Sequence, residues 1–140
     1  MTARDRRDEE GSISTWAVLG ALVLTICVGL AVDLGGQIHA KQHAYDIAAE
    51  AARTGAQQVA ASAMTGRPLA VDPESAYWAA TDYLTTSGVS GTVDTAEDLV
   101  TVTVHETYRP VFLGSIGIGD LNVTATATAH LVRTVGGNRT

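Results

Sequence analysis

No charged residue occurs between Gly11 and Val32, a run of 22 residues. As a helix rising about 1.5 Å per residue the run extends roughly 33 Å, enough to cross a hydrocarbon core about 30 Å thick. Ile13, Val18, Leu19, Leu22, Val23, Leu24, Ile26, Val28, Leu30 and Val32 each favour insertion, by about 0.3–0.6 kcal/mol apiece. Their total of about 3–6 kcal/mol outweighs the modest cost of Ser14, Thr15 and Thr25. Trp16 stands near one end, where an interfacial aromatic belongs. A cleaved signal peptide is one competing reading, since Gly29 and Ala31 fit the small-residue rule for cleavage after Ala31. The run is longer than the usual signal core of about 7–15 residues. A buried helix of a soluble domain is the other, and the rest of the chain is too small to enclose it.

Composition agrees with a segment that does not face water. Of 140 residues, 46% are hydrophobic and only 17% charged, where a soluble domain carries about 25%. The formal net charge of −6 disfavours nucleic acid as a partner, because phosphate is neutralised by a basic face. A single cysteine, Cys27, excludes an internal disulfide and a multi-cysteine zinc site. With 5% aromatics, a core must be built from Val, Leu, Ile and Ala. A chain of this length forms one ordinary domain at most, and a deep substrate pocket is hard to fit into it.

Basic residues near the span set its direction. Arg4, Arg6 and Arg7 precede it, mixed with Asp5, Asp8, Glu9 and Glu10; beyond it Lys41 is the first basic residue. The expected organisation is a cytoplasmic charged leader over 1–10, a transmembrane helix over 11–33, an extracytoplasmic α+β domain over 34–135 and a loose tail over 136–140. Within the span Ala17, Ala21, Thr25, Gly29 and Asp33 recur every four residues. Small side chains at that spacing let helices approach closely in lipid, so these five form the candidate helix-packing row, with self-association through it a possible use. Asp33 reads either as a boundary charge or as a partner for a neighbouring subunit's cation.

After the span the helix is expected to continue into an Ala-rich helix, since 37–63 is rich in Ala, Gln and Glu, with Gly35-Gly36 a possible bend just outside the bilayer. Ile38, Tyr45, Ala48, Ala49, Ala52, Ala56, Val59, Ala60 and Ala63 outline its stripe. Thr65 to Pro68 breaks it. A short helix follows: Asp72 is the N-cap, Pro73 and Glu74 fit the first turn, and Gly88 is the stop. Ala76, Tyr77, Ala80, Tyr83 and Leu84 are its buried side. Three strands are then expected, at Gly91–Thr95, Leu99–Tyr108 and Leu121–Val132. In the second and third, Val or Ala alternates with Thr, the pattern of a half-solvated antiparallel sheet. Between them Val111–Leu113 forms one helical turn.

The order of these elements resembles the TadE/TadG-like proteins of Flp (tight-adherence) pilus assembly in bacteria. The resemblance is carried by Glu10-Gly11-Ser12, Val32-Asp33-Leu34-Gly35, the Ala-rich Gln42–Ala56 and the closing Val123–Ala129 strand. It implies a pseudopilin-like structural or assembly subunit rather than an enzyme, with lipid and other pilus or secretion-system membrane subunits as partners. It also implies Gly11 as the possible leader-processing point. Trp16 stands where such leaders carry an acid, so the chain is expected to stay uncleaved there. The alternative function is a membrane-anchored extracytoplasmic binding or regulatory module.

Catalytic patterns are sparse, and no cofactor is expected. His39 and His43 lie four apart with Asp46 and Glu50 on succeeding turns, a spacing that could hold a metal ion. The glutamate of a zinc-protease helix is missing between the histidines, and two solvated histidines are the plainer reading. His105 and His130 both fall on polar strand faces, where they could meet across strands. Gly114-Ser-Ile-Gly117-Ile-Gly119 does not open a long helix after a strand, so it is no dinucleotide loop.

Overall fold

The computed structural model describes residues 7–64, 73–96 and 99–130, with side chains from residue 13 onward and not for 58–64. Its elements are α1 (Arg7–Met64), α2 (Pro73–Ser87), β1 (Ser90–Ala96), β2 (Leu99–Tyr108), α3 (Phe112–Ser115) and β3 (Leu121–His130). This is the α+β architecture expected, a long apolar-to-alanine helix followed by short helices and an antiparallel sheet. Gly11 lies inside α1. Thr65 to Pro68, Asp72, Leu131, Val132 and the tail lie outside the described residues, as do leader positions 1–6.

The helix continues from the apolar run into the Ala-rich stretch as expected: α1 runs through Gly35 and Gly36 without a break in helical structure, for 58 residues. Two glycines cost an isolated helix about 2 kcal/mol relative to alanine. Here flanking helix on both sides and packing on one face hold the segment helical.

The sheet has the order β1-β2-β3, antiparallel throughout. Val102 of the central strand stands opposite Val93 on one side and Ala127 on the other. α1 and α2 cover one face of this sheet, where Val100, Val102 and Val104 are fully buried. The helical layer meets them with Ala44, Ala48, Ala51, Ala52, Ala76, Ala80 and Leu84. Small side chains let helix and sheet approach closely, so the valines fill the space between layers. At Gly55 a Cβ would lie 2.8 Å from the Ala76 carbonyl oxygen, so the crossing of α1 and α2 needs glycine there.

The packed face of α1 is turned slightly from the expected stripe. Ile38 and Tyr45 are more than half exposed, and Ala44, Ala51 and Gly55 take the contact instead. The larger residues would have held the sheet away. On α2, Ala76, Ala80 and Leu84 are buried, Tyr83 is half-buried, and Tyr77 is exposed with its ring edge-to-face against Trp78 at 5.4 Å. Gly88, at φ 70°, ends α2 in the left-handed conformation that only glycine adopts cheaply.

The far face of the sheet is polar. Thr101 and Thr128 hydroxyls pair at 3.2 Å, and Thr103 and Thr126 at 3.0 Å, cross-strand contacts worth about 0.2–1 kcal/mol each.

Candidate functional site

The best-defined cluster of polar and aromatic groups lies where α1 leaves its apolar run. Asp33 is only 3% exposed, on the helix face turned toward the β2–β3 connection. Its Oδ1 accepts the backbone N–H of Val111 at 2.7 Å and of Phe112 at 3.1 Å. Its Oδ2 accepts the backbone N–H of Leu113 at 2.6 Å. The Tyr108 hydroxyl also donates to the carboxylate. These three amides belong to the start of α3, whose cap residue Val111 has no side-chain cap of its own. Asp33 therefore supplies, from a distant helix, the acceptor that an N-terminus needs.

Two glycines complete the receptor. At Gly29 a Cβ would collide with the Phe112 ring, and at Gly36 with the Tyr108 hydroxyl and ring. Gly29 and Gly36 are seven residues apart, so they lie within about 20° on one helix face, roughly 10 Å along the axis. Asp33 sits between them. The segment from Tyr108 to Phe112 thus descends along α1 toward the apolar run, one aromatic ring over each glycine. Burial pushes the Tyr108 hydroxyl above its ordinary pKa, and the neighbouring Asp33 charge adds to the shift. Arg109 and Asp120 close the neck of the connection at 3.2 Å, and that bond holds the arginine pKa above its usual value.

The candidate helix-packing row divides along its length. Gly29 and Asp33 contact the α3 connection of their own chain, so their neighbours are Phe112 and the α3 amides. Ala17, Ala21 and Thr25 are exposed. The Thr25 hydroxyl donates to the Ala21 carbonyl at 2.9 Å, which satisfies it within the helix. Cys27 is exposed on the same run.

The histidines are dispersed. His43 pairs with Glu106 of β2 at 2.9 Å, joining helix and sheet. His105 Nδ1 lies 3.3 Å from the Thr124 hydroxyl, and His130 stands opposite Leu99, so the two strand histidines do not meet. Among the described residues no three His, Cys, Asp or Glu side chains converge as a metal site.

Sequence reasoning placed a helical turn at Val111–Leu113 and singled out Asp33, but it did not join them. It gave Tyr108, Phe112 and Gly36 no role in a site. The available signal was the helical spacing of Gly29, Asp33 and Gly36, together with the uncharged connection Pro110–Gly119.

Among the described residues one helix, α1, is long and apolar enough to cross a membrane, and almost none of its apolar window is buried. No curated protein matches the chain, and no solved structure matches it. A family model does match, over most of α1, including the apolar run and most of the alanine face. Residues 11–58 match the Tad model, described as "Putative Flp pilus-assembly TadE/G-like", so α1 carries a TadE/G-like segment.

Proposed function

We propose that the chain is a membrane-anchored, pseudopilin-like subunit of a Flp pilus assembly or related secretion machine, structural rather than catalytic. The observation that carries this reading is the TadE/G-like match coinciding with the apolar part of α1. Residues 11–33 span the bilayer, 1–10 remain cytoplasmic and 34–135 form the outer domain. The three arginines before the span support that direction. Its partners are lipid and other membrane subunits of the machine. The row Ala17, Ala21 and Thr25 is the surface for helix association. Gly29 and Asp33, at the end of the same row, act chiefly by holding the α3 connection.

The continuity of α1 gives this reading a mechanical basis. One helix joins the span to the sheet, unbroken at Gly35-Gly36. Helix contacts inside the membrane and presentation of the domain outside are thereby coupled through a rigid element.

Deleting the chain in its native host, then counting surface pili and fractionating cells with and without shearing, tests the function. Loss of pili, restored by the wild-type chain, is the expected result. Normal piliation in the deletion strain would refute the assembly role and favour an anchored binding module. Alkaline phosphatase fused after Arg133 should be active; an inactive fusion beside an active cytoplasmic reporter would reverse the topology.

A further inference from the structure

The β2–β3 connection is an unusual surface feature for a domain held in water. From Pro110 to Gly119 it carries no charge. Val111 is 72% exposed, Ile116 65% and Ile118 43%, yet all three belong to one short connection. Phe112 of the same connection lies over Gly29. That glycine is three residues inside the end of the charge-free run, a depth of about 4.5 Å along the helix. The neighbouring span residues Val28, Leu30 and Val32 are also exposed. Whatever solvates those side chains reaches Val111 and Ile116 as well.

Most backbone donors of the connection are already satisfied within the protein. Pro110 has no N–H. The amides of Val111, Phe112 and Leu113 go to Asp33. Those of Ile116 and Ile118 go to the Leu113 carbonyl, and that of Gly117 to the Gly114 carbonyl. The Ser115 hydroxyl donates to the Phe112 carbonyl at 2.6 Å. An irregular segment can enter the apolar zone only when its polar groups are satisfied by protein. Arg109 and Asp120, paired across the neck, mark where charge resumes.

We propose that the Val111–Ile118 connection is a second membrane contact: it dips into the outer leaflet beside the span, with Val111, Ile116 and Ile118 facing lipid. The inference rests on the membrane-anchored reading of α1. Asp33 then has a definite task at the boundary. It fixes the connection against the helix and draws its own hydrogen bonds from that connection's amides. The outer domain is held at two points, α1 and the connection, which restricts its tilt relative to the bilayer.

The test uses the full chain with Cys27→Ala, reconstituted in phosphatidylcholine–phosphatidylglycerol vesicles. Single cysteines at Ile116 or Ile118 carry a nitroxide; Val32→Cys reports the span and Thr86→Cys, at an exposed position of α2, reports water. Accessibility to oxygen and to a water-soluble nickel chelate is measured for each. The expected result is high oxygen and low nickel accessibility at 116 and 118, at a depth within about one helical turn, roughly 5 Å, of position 32. Labels at 116 and 118 that read like position 86, with position 32 still in lipid, would overturn the inference and leave the anchored reading intact. Shielding from both reagents would put protein over the connection and overturn it too. An aqueous reading at position 32 would remove the anchored reading, and the inference with it.

Discussion

The Asp33 carboxylate accepts the backbone N–H of Leu113 at 2.6 Å, joining positions 80 residues apart. With Val111 and Phe112 it makes one side chain the cap of a remote helical turn. The contact is therefore local chemistry with a long-range consequence: it ties the β2–β3 connection of the sheet to the helix that leads from the apolar run.

Replacing Asp33 should release that turn. Asp33→Asn keeps the size but loses the charge and turns one acceptor into a donor facing N–H groups; Asp33→Leu leaves all the donors without an acceptor. Bonds to charged groups are stronger than neutral ones, and an orphaned buried donor is costly. Amide exchange at Val111, Phe112 and Leu113 should accelerate by on the order of tenfold in the Asn variant and more in the Leu variant. The sheet amides of Val102 and Ala127 should stay protected in the Asn variant. Unchanged exchange at 111–113 would show that the cap contributes nothing.

Gly35 and Gly36 are adjacent in one helix, yet substitution should move stability in opposite directions. A Cβ on Gly35 meets nothing within 4 Å, whereas one on Gly36 collides with Tyr108. Gly35→Ala should stabilise the chain by about 0.5–1 kcal/mol through helix propensity alone. Gly36→Ala should destabilise it and displace the Tyr108 ring, seen in the tyrosine near-ultraviolet signal. Equal effects of the two substitutions would mean that Tyr108 does not rest on α1.

The core should respond to volume in both directions. Val102→Ala removes two methyl groups from a fully buried site and should cost about 2 kcal/mol, transfer and cavity together. Ala48→Leu overfills the helix–sheet contact and should cost about 1–3 kcal/mol. Thr92→Ser, on exposed β1, should stay within about 0.5 kcal/mol. Denaturant midpoints in detergent would measure all three. A neutral Ala48→Leu would refute the close approach of α1 to the sheet.

Much of this fold is legible in the sequence because its patterns are periodic and local. The alternation of Val100, Val102 and Val104 with threonine, and of Val123, Ala125 and Ala127 with threonine, fixes both strands and their faces. The charge-free run fixes the apolar half of α1. Gly35-Gly36 does not interrupt α1, because propensity is a weak prior once Tyr108 packs on the helix at that point. The alanine stripe is read slightly out of register, since Ile38 and Tyr45 are the more hydrophobic residues while close packing favours alanine. The Asp33 site is not legible, because its donors are backbone amides of Val111, Phe112 and Leu113. Any residue type could supply them, so only the three-dimensional path of the connection brings them to the carboxylate.

Ala21 and Gly29 lie on one row of α1, but their substitution should have different consequences. Ala21 is exposed, and nothing among the described residues covers it; Gly29 is buried beneath Phe112. Ala21→Leu adds bulk where a second helix would approach, while remaining as apolar as lipid. It should insert normally, reduce membrane cross-linking between copies or with partner subunits, and leave amide exchange at 111–113 unchanged. Gly29→Leu drives a side chain into the Phe112 ring. It should accelerate exchange in the α3 connection, and any loss of cross-linking should follow from that displacement. Ala17→Leu should behave as Ala21→Leu does. If Ala17→Leu and Ala21→Leu both cross-link like the wild type, association comes from the outer domain. The small residues then serve only the passage of the helix through lipid. If Gly29→Leu leaves the 111–113 amides as protected as in the wild type, Phe112 does not lie on the span.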